Sequence, residues 1–203
     1  MSNRPTRPEL IADGAVHAVA IALAVTATVF LILHLTVDQN ALTIAAVSVY
    51  CVIMIFSFTA SGIYNLWPWE ESREPLRRID HAAIYLKIAG TYTPLVVILG
   101  SMFGYLVLAG VWAIALGAAI GKLVFEKWPH GLNTGLTLTL GWASLILLWP
   151  LAKTIPGPSL VLILAGGVLY TVGTIFYLSE NMRFHTAIWH GFVLTASASI
   201  FAA

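Results

Sequence analysis

Seven stretches of this chain are almost wholly apolar over close to the ~20 residues that a helix needs to cross a hydrocarbon core. They run over residues 14–36, 41–66, 80–99, 103–125, 134–151, 159–178 and 185–202. Lipid offers no water to backbone N–H and C=O groups, so only helices and closed barrels span it. Barrel strands alternate apolar and polar positions over ~10 residues, whereas these runs are continuous. The pattern predicts an all-α membrane protein, a seven-transmembrane helix bundle. Only 9% of the residues are charged, against about 25% in ordinary soluble domains. The formal net charge of +1 provides no basic surface for a nucleic-acid partner. The longest break between runs is about a dozen residues, which leaves no room for a soluble domain. Residues 1–203 read as one transmembrane domain, with 1–13 as a short cytoplasmic segment. The start, MSNRPTRPEL, is basic, and the apolar run behind it is longer than a signal-peptide core with no clear cleavage site, so it reads as a retained first span. Cys51, the single cysteine, rules out a disulfide within the chain and reads as a small buried hydrophobe.

Basic residues accumulate on the cytoplasmic side of membrane proteins. With the N-terminus inside, the cytoplasmic ends hold Arg4, Arg7, Arg73, Arg77, Arg78, Lys122, Lys127 and Arg183, and the outer ends hold only Lys153. This asymmetry predicts a cytoplasmic N-terminus and an outside C-terminus, in a plasma membrane (the inner membrane of a bacterium). The conspicuous polar groups then fall at the cytoplasmic ends of four spans. His17 opens the first, Ser61 and Asn65 close the second, Asp80 and His81 open the third, and His185 and His190 open the seventh. Glu9 and Asp13 precede His17 at helical spacing of four.

Ionisable side chains inside membrane segments are costly and are functional candidates by default. His185 and His190 are five residues apart, about 140° around a helix. They reach one ion only if the helix starts near Thr186 or carries a π-bulge; otherwise His185 caps the boundary and His190 alone faces a site. Asp80, behind Arg77-Arg78, reads as a helix N-cap and as a carboxylate that ligates a metal or orients a water, two roles that do not exclude each other. Asn65 shares a face with Ser61 and suits an interhelical hydrogen bond better than zinc ligation. Lys87 lies two turns below Asp80, and Pro94 is expected to kink the third span.

The run Arg77-Arg78-Ile79-Asp80-His81-Ala82-Ala83-Ile84-Tyr85, followed by Ile88-Ala89-Gly90-Thr91-Tyr92-Thr93-Pro94, resembles the third-span signature of the hemolysin III family. These are the bacterial relatives of the progestin and adipoQ receptors. Ile188-Trp189-His190-Gly191-Phe192-Val193 resembles the family's last span, Ser61-Gly62-Ile63-Tyr64 the end of its second, and Glu9, Asp13 and His17 its entry to the first. The resemblance implies a seven-helix bundle and a cytoplasmic-side zinc, held by one histidine of span 2 and two of span 7. It also implies an aspartate of span 3 acting through water. The wider superfamily includes membrane ceramidases, so hydrolysis of lipid amides is an implied chemistry. The family name implies haemolysis or pore formation.

This chain departs from that pattern. Asn65 stands where the span 2 histidine is expected, Thr186 stands four residues before His190, and Lys87 replaces an apolar residue. The metal candidates are therefore His190, His185, Asn65 and His17, with Asp80 and Ser61 as catalytic candidates. Two functions compete. One is a zinc-dependent hydrolase acting on membrane lipids, with a sphingolipid-like substrate. The other is a pore-forming, transport or receptor-like protein without catalysis. A member that keeps the bundle and has lost its metal is a third reading, favoured by Asn65.

Overall fold

A computed structural model describes residues 5–125 and 130–203. Arg4 and Lys127, two of the basic residues used to orient the chain, lie outside the described residues. The described chain is all helical: α1 Arg7–Asp38, α2 Ala41–Leu66, α3 Arg73–Leu99, α4 Met102–Val124, α5 His130–Trp142, α6 Leu145–Leu151, α7 Gly157–Leu178 and α8 His185–Ala202, with a 3-10 turn at Glu70–Ser72. Among the described residues six segments are long and apolar enough to cross a membrane, α5 and α6 counting together as Asn133–Leu151. The remaining long helix, α8, has 18 residues and carries two histidines. Large apolar side chains such as Phe30, Leu33, Leu106, Ile146 and Val161 are more than half exposed on the helix surfaces. In water such surfaces drive association; in a membrane bundle they face lipid.

The helix ends follow from local chemistry. The Asn40 carboxamide caps α2 by accepting from Thr43 N–H at 2.9 Å, and the Ser101 hydroxyl caps α4 by accepting from Gly104 N–H at 3.1 Å. Gly100 ends α3 in the left-handed region, φ 62°, which only glycine adopts without steric cost. Two sequence-based boundaries are corrected. The first helix starts at Arg7, not at residue 14, because the Glu9 carboxylate closes its start by accepting from Thr6 N–H. The third starts at Arg73, so Asp80 sits two turns inside α3 and is not its N-cap. The fifth segment is divided at Ala143-Ser144, where Ser144 N–H donates to Gly141 C=O in a tighter turn at 3.3 Å. Pro94 lies within α3, which continues through it to Leu99.

The chain forms two compact units, one gathering the residues up to Ala20 with Ile155–Ala203, the other comprising Ile21–Thr154. In the second unit α3 packs against α2, α4 and α5. Its small residues Ala82, Ala83 and Ala89 are buried, and a Cβ on Gly90 would stand 3.3 Å from Ile53 of α2. Two tyrosines seven residues apart tie α3 to α5. Tyr85 O–H donates to the Asn133 side-chain oxygen at 2.9 Å, and Tyr92 O–H donates to Leu140 C=O at 2.6 Å. Tyr85 is fully buried. Tyr85→Phe should lower stability by about 1 kcal/mol, the usual worth of an interhelical hydrogen bond in a membrane bundle. A thermal melt of the detergent-purified protein reads this directly, and an unchanged midpoint would mean the bond contributes nothing.

In the first unit α7 and α8 pack antiparallel along a glycine-lined seam. Tyr170 meets Ser197 and Leu162 meets Ser199, so numbers rise on one helix as they fall on the other. Ser197 Oγ spends its proton on Val193 C=O at 2.6 Å, so Tyr170 O–H is the donor to Ser197 Oγ at 2.7 Å. A Cβ on Gly166 would stand 2.5 Å from Ile200, and one on Gly173 would stand 2.7 Å from Phe192 Cβ. Small residues at such a seam let two backbones approach closely enough for dispersion and short hydrogen bonds to hold them.

Candidate metal centre

The site in the first unit begins with the start of α1. Because the helix is already running at Arg7, Glu9, Asp13 and His17 fall on one face at successive intervals of four. α8 starts at His185, which puts His190 in its second turn. Two hydrogen bonds join these helices: Glu9 with Phe184 at 3.0 Å, and Asp13 with His190 at 2.6 Å. Both advance in the same chain direction, so α8 runs parallel to the first turns of α1.

Asp13, His17 and His190 are all buried, with 4%, 2% and 9% of their surface exposed. They form the one group of histidine, cysteine and acidic side chains among the described residues that can hold a metal ion, with ligand atoms within 4.8 Å of one another. Residue 13 orients both rings. Its backbone carbonyl lies 2.9 Å from His17 Nδ1 and its carboxylate oxygen 2.6 Å from His190 Nδ1. A carbonyl or carboxylate oxygen accepts, so each ring donates its Nδ1–H, and the neutral ring carries its lone pair on Nε2. For His17, whose Nδ1–H goes to a backbone carbonyl, this is the arrangement by which a neighbouring acceptor prepares a histidine to ligate through Nε2; His190, whose Nδ1 faces the Asp13 carboxylate, meets an ion shared with that carboxylate through Nδ1, in place of its proton. The rings meet edge to face with centroids 4.3 Å apart. His17 Nε2 is buried with no hydrogen-bond partner. A buried imidazole nitrogen left without a partner is costly, and an ion beside it supplies what the chain does not. Two imidazoles and a carboxylate are a donor set that suits zinc, with three protein ligands as in catalytic sites rather than the four of structural ones.

The structure thus brings together two of the residues singled out in the sequence, His17 and His190, and adds Asp13. The signal for Asp13 was its spacing of four before His17. His185 stands outside this cluster: its Nε2 lies 3.4 Å from Thr186 Oγ1, and its Nδ1 is buried without a hydrogen-bond partner.

Asn65, Ser61 and Asp80 belong to the second unit. The Asn65 amide turns back on its own helix and donates to Ser61 C=O at 2.9 Å. Ser61 and Asp80 are buried. His81, the neighbour of Asp80, points to α4, where its Nδ1 lies 3.4 Å from Lys122 Nζ. Lys122, counted from sequence as an interfacial charge, is itself buried. The Lys87 ammonium lies 4.2 Å from the centre of the Phe58 ring, a cation–π contact that offsets part of its desolvation.

Apolar spanning helices and an internal cluster of imidazoles and carboxylate define a multi-pass membrane protein with a polar site inside one of its units. The family profile described as "Haemolysin-III related" matches residues 9–201. The chain is 37% identical over 199 residues to "Hemolysin-3 homolog" of Bacillus subtilis strain 168, covering 97% of this chain and 92% of that protein. It is 36% identical over 194 residues to "Hemolysin-3" of Bacillus cereus, covering 95% and 89%. A more distant relative is the human "Monocyte to macrophage differentiation factor", 26% identical over 151 residues, covering 70% of this chain and 61% of that one. The chain belongs to the haemolysin III family. Its membership and its apolar helices fit a bacterial inner membrane.

Proposed function

We propose that this protein is a metal-dependent membrane hydrolase whose metal is held by Asp13, His17 and His190. One observation carries the proposal: a buried imidazole nitrogen, His17 Nε2, has no hydrogen-bond partner and belongs to a cluster with a second imidazole and a carboxylate. A zinc bound there supplies Lewis acidity toward a carbonyl and lowers the pKa of bound water to about 7. The side chains do the rest. The Asp13 carbonyl fixes the orientation of the His17 ring, and close packing of α7 on α8 keeps His190 in position. Asp80 serves as the group that orients or deprotonates water, and Ser61 as an oxyanion donor. The support for these two roles is burial of a carboxylate and a hydroxyl within apolar helices. The substrate class is a lipid with an amide or ester bond, sphingolipid-like, reached from the membrane.

The same reading includes seven spans in a single domain, with the N-terminus cytoplasmic and the C-terminus outside. The parallel run of α1 and α8 supports it, since a first and last span that run parallel require an odd number of crossings. The basic residues at the cytoplasmic ends of the spans support the direction.

Metal analysis of the purified protein tests the centre. Close to one zinc per chain is expected. Asp80→Asn should abolish release of fatty acid from a ceramide-type substrate while leaving the metal content unchanged. No bound metal in the wild type sinks the proposal; loss of metal in Asp80→Asn reassigns Asp80 from water activation to ligation. The names of the Bacillus relatives favour a second reading, a haemolytic or pore-forming protein. That reading requires dye release from liposomes carrying the purified protein.

A further inference from the structure

We infer that Glu9 is a clasp between the first and last helices and thereby a positioning residue for the metal centre. The inference rests on the metal reading above and deepens it. α8 begins without any side-chain cap of its own: the residue before it, Phe184, is in the left-handed region at φ 60°, and no side chain within the helix caps the end. Its backbone N–H is one of the donors that a helix start leaves without an intrahelical partner. Glu9, 175 residues away in sequence, provides the acceptor, with Oε1 at 3.0 Å from Phe184 N.

The other oxygen of the same carboxylate is committed to α1. Glu9 Oε2 accepts from Thr6 N–H at 2.8 Å and from Thr6 O–H at 2.5 Å. One carboxylate therefore closes two helix N-termini at once, and negative charge is favoured at both by the helix dipoles. A side chain held this way from two sides loses the freedom that weakens most surface contacts.

The clasp has a consequence for the site. Glu9 and Asp13 are one turn apart on the same face of α1, and each grips α8, at Phe184 and at His190. Two grips along parallel helices determine both translation and rotation of α8 against α1. A single grip at Asp13 leaves α8 able to pivot about the His190 contact, and that ring would sweep away from His17. Glu9 touches neither His17 nor His190 in any described hydrogen bond, so its effect on the metal passes through helix register.

The experiment uses the full-length chain in detergent, with cobalt(II) as a spectroscopic substitute for zinc and hydrogen exchange over residues 184–190 as a second readout. Glu9→Ala should weaken cobalt binding by about tenfold, the lower end of what loss of an outer-shell partner costs. It should also shift the visible cobalt bands and speed exchange at 184–190. Glu9→Gln keeps an acceptor for Phe184 and should restore affinity to within about threefold, as expected of a group that acts by hydrogen bonding. Thr6→Ala removes the hydroxyl bond to Glu9 and leaves the grip on α8, so its affinity, bands and exchange should match the wild type. Equal damage from Thr6→Ala, or unchanged exchange and cobalt binding in Glu9→Ala, overturns the clasp. A wild type that takes no cobalt overturns the metal reading and the positioning role with it, whereas faster exchange in Glu9→Ala alone still identifies the joint.

Discussion

Replacing His190 with alanine is expected to remove the metal and to weaken the fold of the first unit at the same time. The imidazole is one of three ligand groups in the cluster, so affinity should fall by at least about 100-fold, beyond the 10–100-fold typical of outer-shell groups. The stability loss has a separate origin. Asp13 is buried, and His190 Nδ1 at 2.6 Å is its hydrogen-bond partner. Removing one member of such a pair leaves the other desolvated and unpaired, at a cost of about 3 kcal/mol or more. The double variant with Asp13→Ala removes both members. It should therefore be more stable than the sum of the two single losses predicts, because neither polar group is left orphaned. Metal content and thermal midpoint, measured on the four proteins of the cycle, separate the effects. Additive stability losses would show that the two side chains do not interact. Retention of metal in His190→Ala would remove this ring from the centre.

Gly173→Leu is expected to prevent α7 and α8 from closing. Even a single Cβ there would stand 2.7 Å from Phe192 Cβ and 3.0 Å from the Trp189 ring. Phe192 Cβ is anchored to the backbone of α8 and cannot rotate away, so the helices must separate. Gly173→Ala should cost about 1–3 kcal/mol, the usual range for overpacking, and the larger leucine should leave little folded protein. Gly117 of α4 is the control, because nothing lies within 4 Å of a Cβ built on it. Gly117→Ala should be neutral or stabilising by up to about 1 kcal/mol, since alanine favours the helix. Size-exclusion profiles and melts of the three variants decide the matter. Equal behaviour of Gly173→Ala and Gly117→Ala would mean that the seam is looser than its geometry implies.

Much of the fold is legible in the sequence because lipid imposes a one-dimensional rule. A run such as 159–178 or 41–66 must be helical wherever it sits, since no other backbone satisfies itself in hydrocarbon. The boundaries were less legible. Residues 73–80 are charged, and hydropathy read them as connection, yet they continue α3 into the charged run because Arg77 and Arg78 pair with Glu74 on the helix surface. The start of α1 was hidden for a related reason: the Glu9 carboxylate accepts from Thr6 through hydrogen bonds that no hydropathy scale registers.

The site was only half legible. His17 and His190 stand out as imidazoles in apolar runs, and family resemblance draws attention to His190 and Asp80. Asp13 was visible only as a carboxylate one turn before His17. Nothing in the linear order says that it meets a ring 177 residues away. By itself the sequence determined the helical class, the membrane setting and the short-range facing of Glu9, Asp13 and His17, all consequences of local periodicity and of the cost of exposing backbone to lipid. Only the tertiary structure decided which helix those side chains address. The glycine seam of α7 and α8 and the Glu9–Phe184 joint lay α8 along α1, and that choice rests on shape and long-range pairing, for which sequence has no local signal.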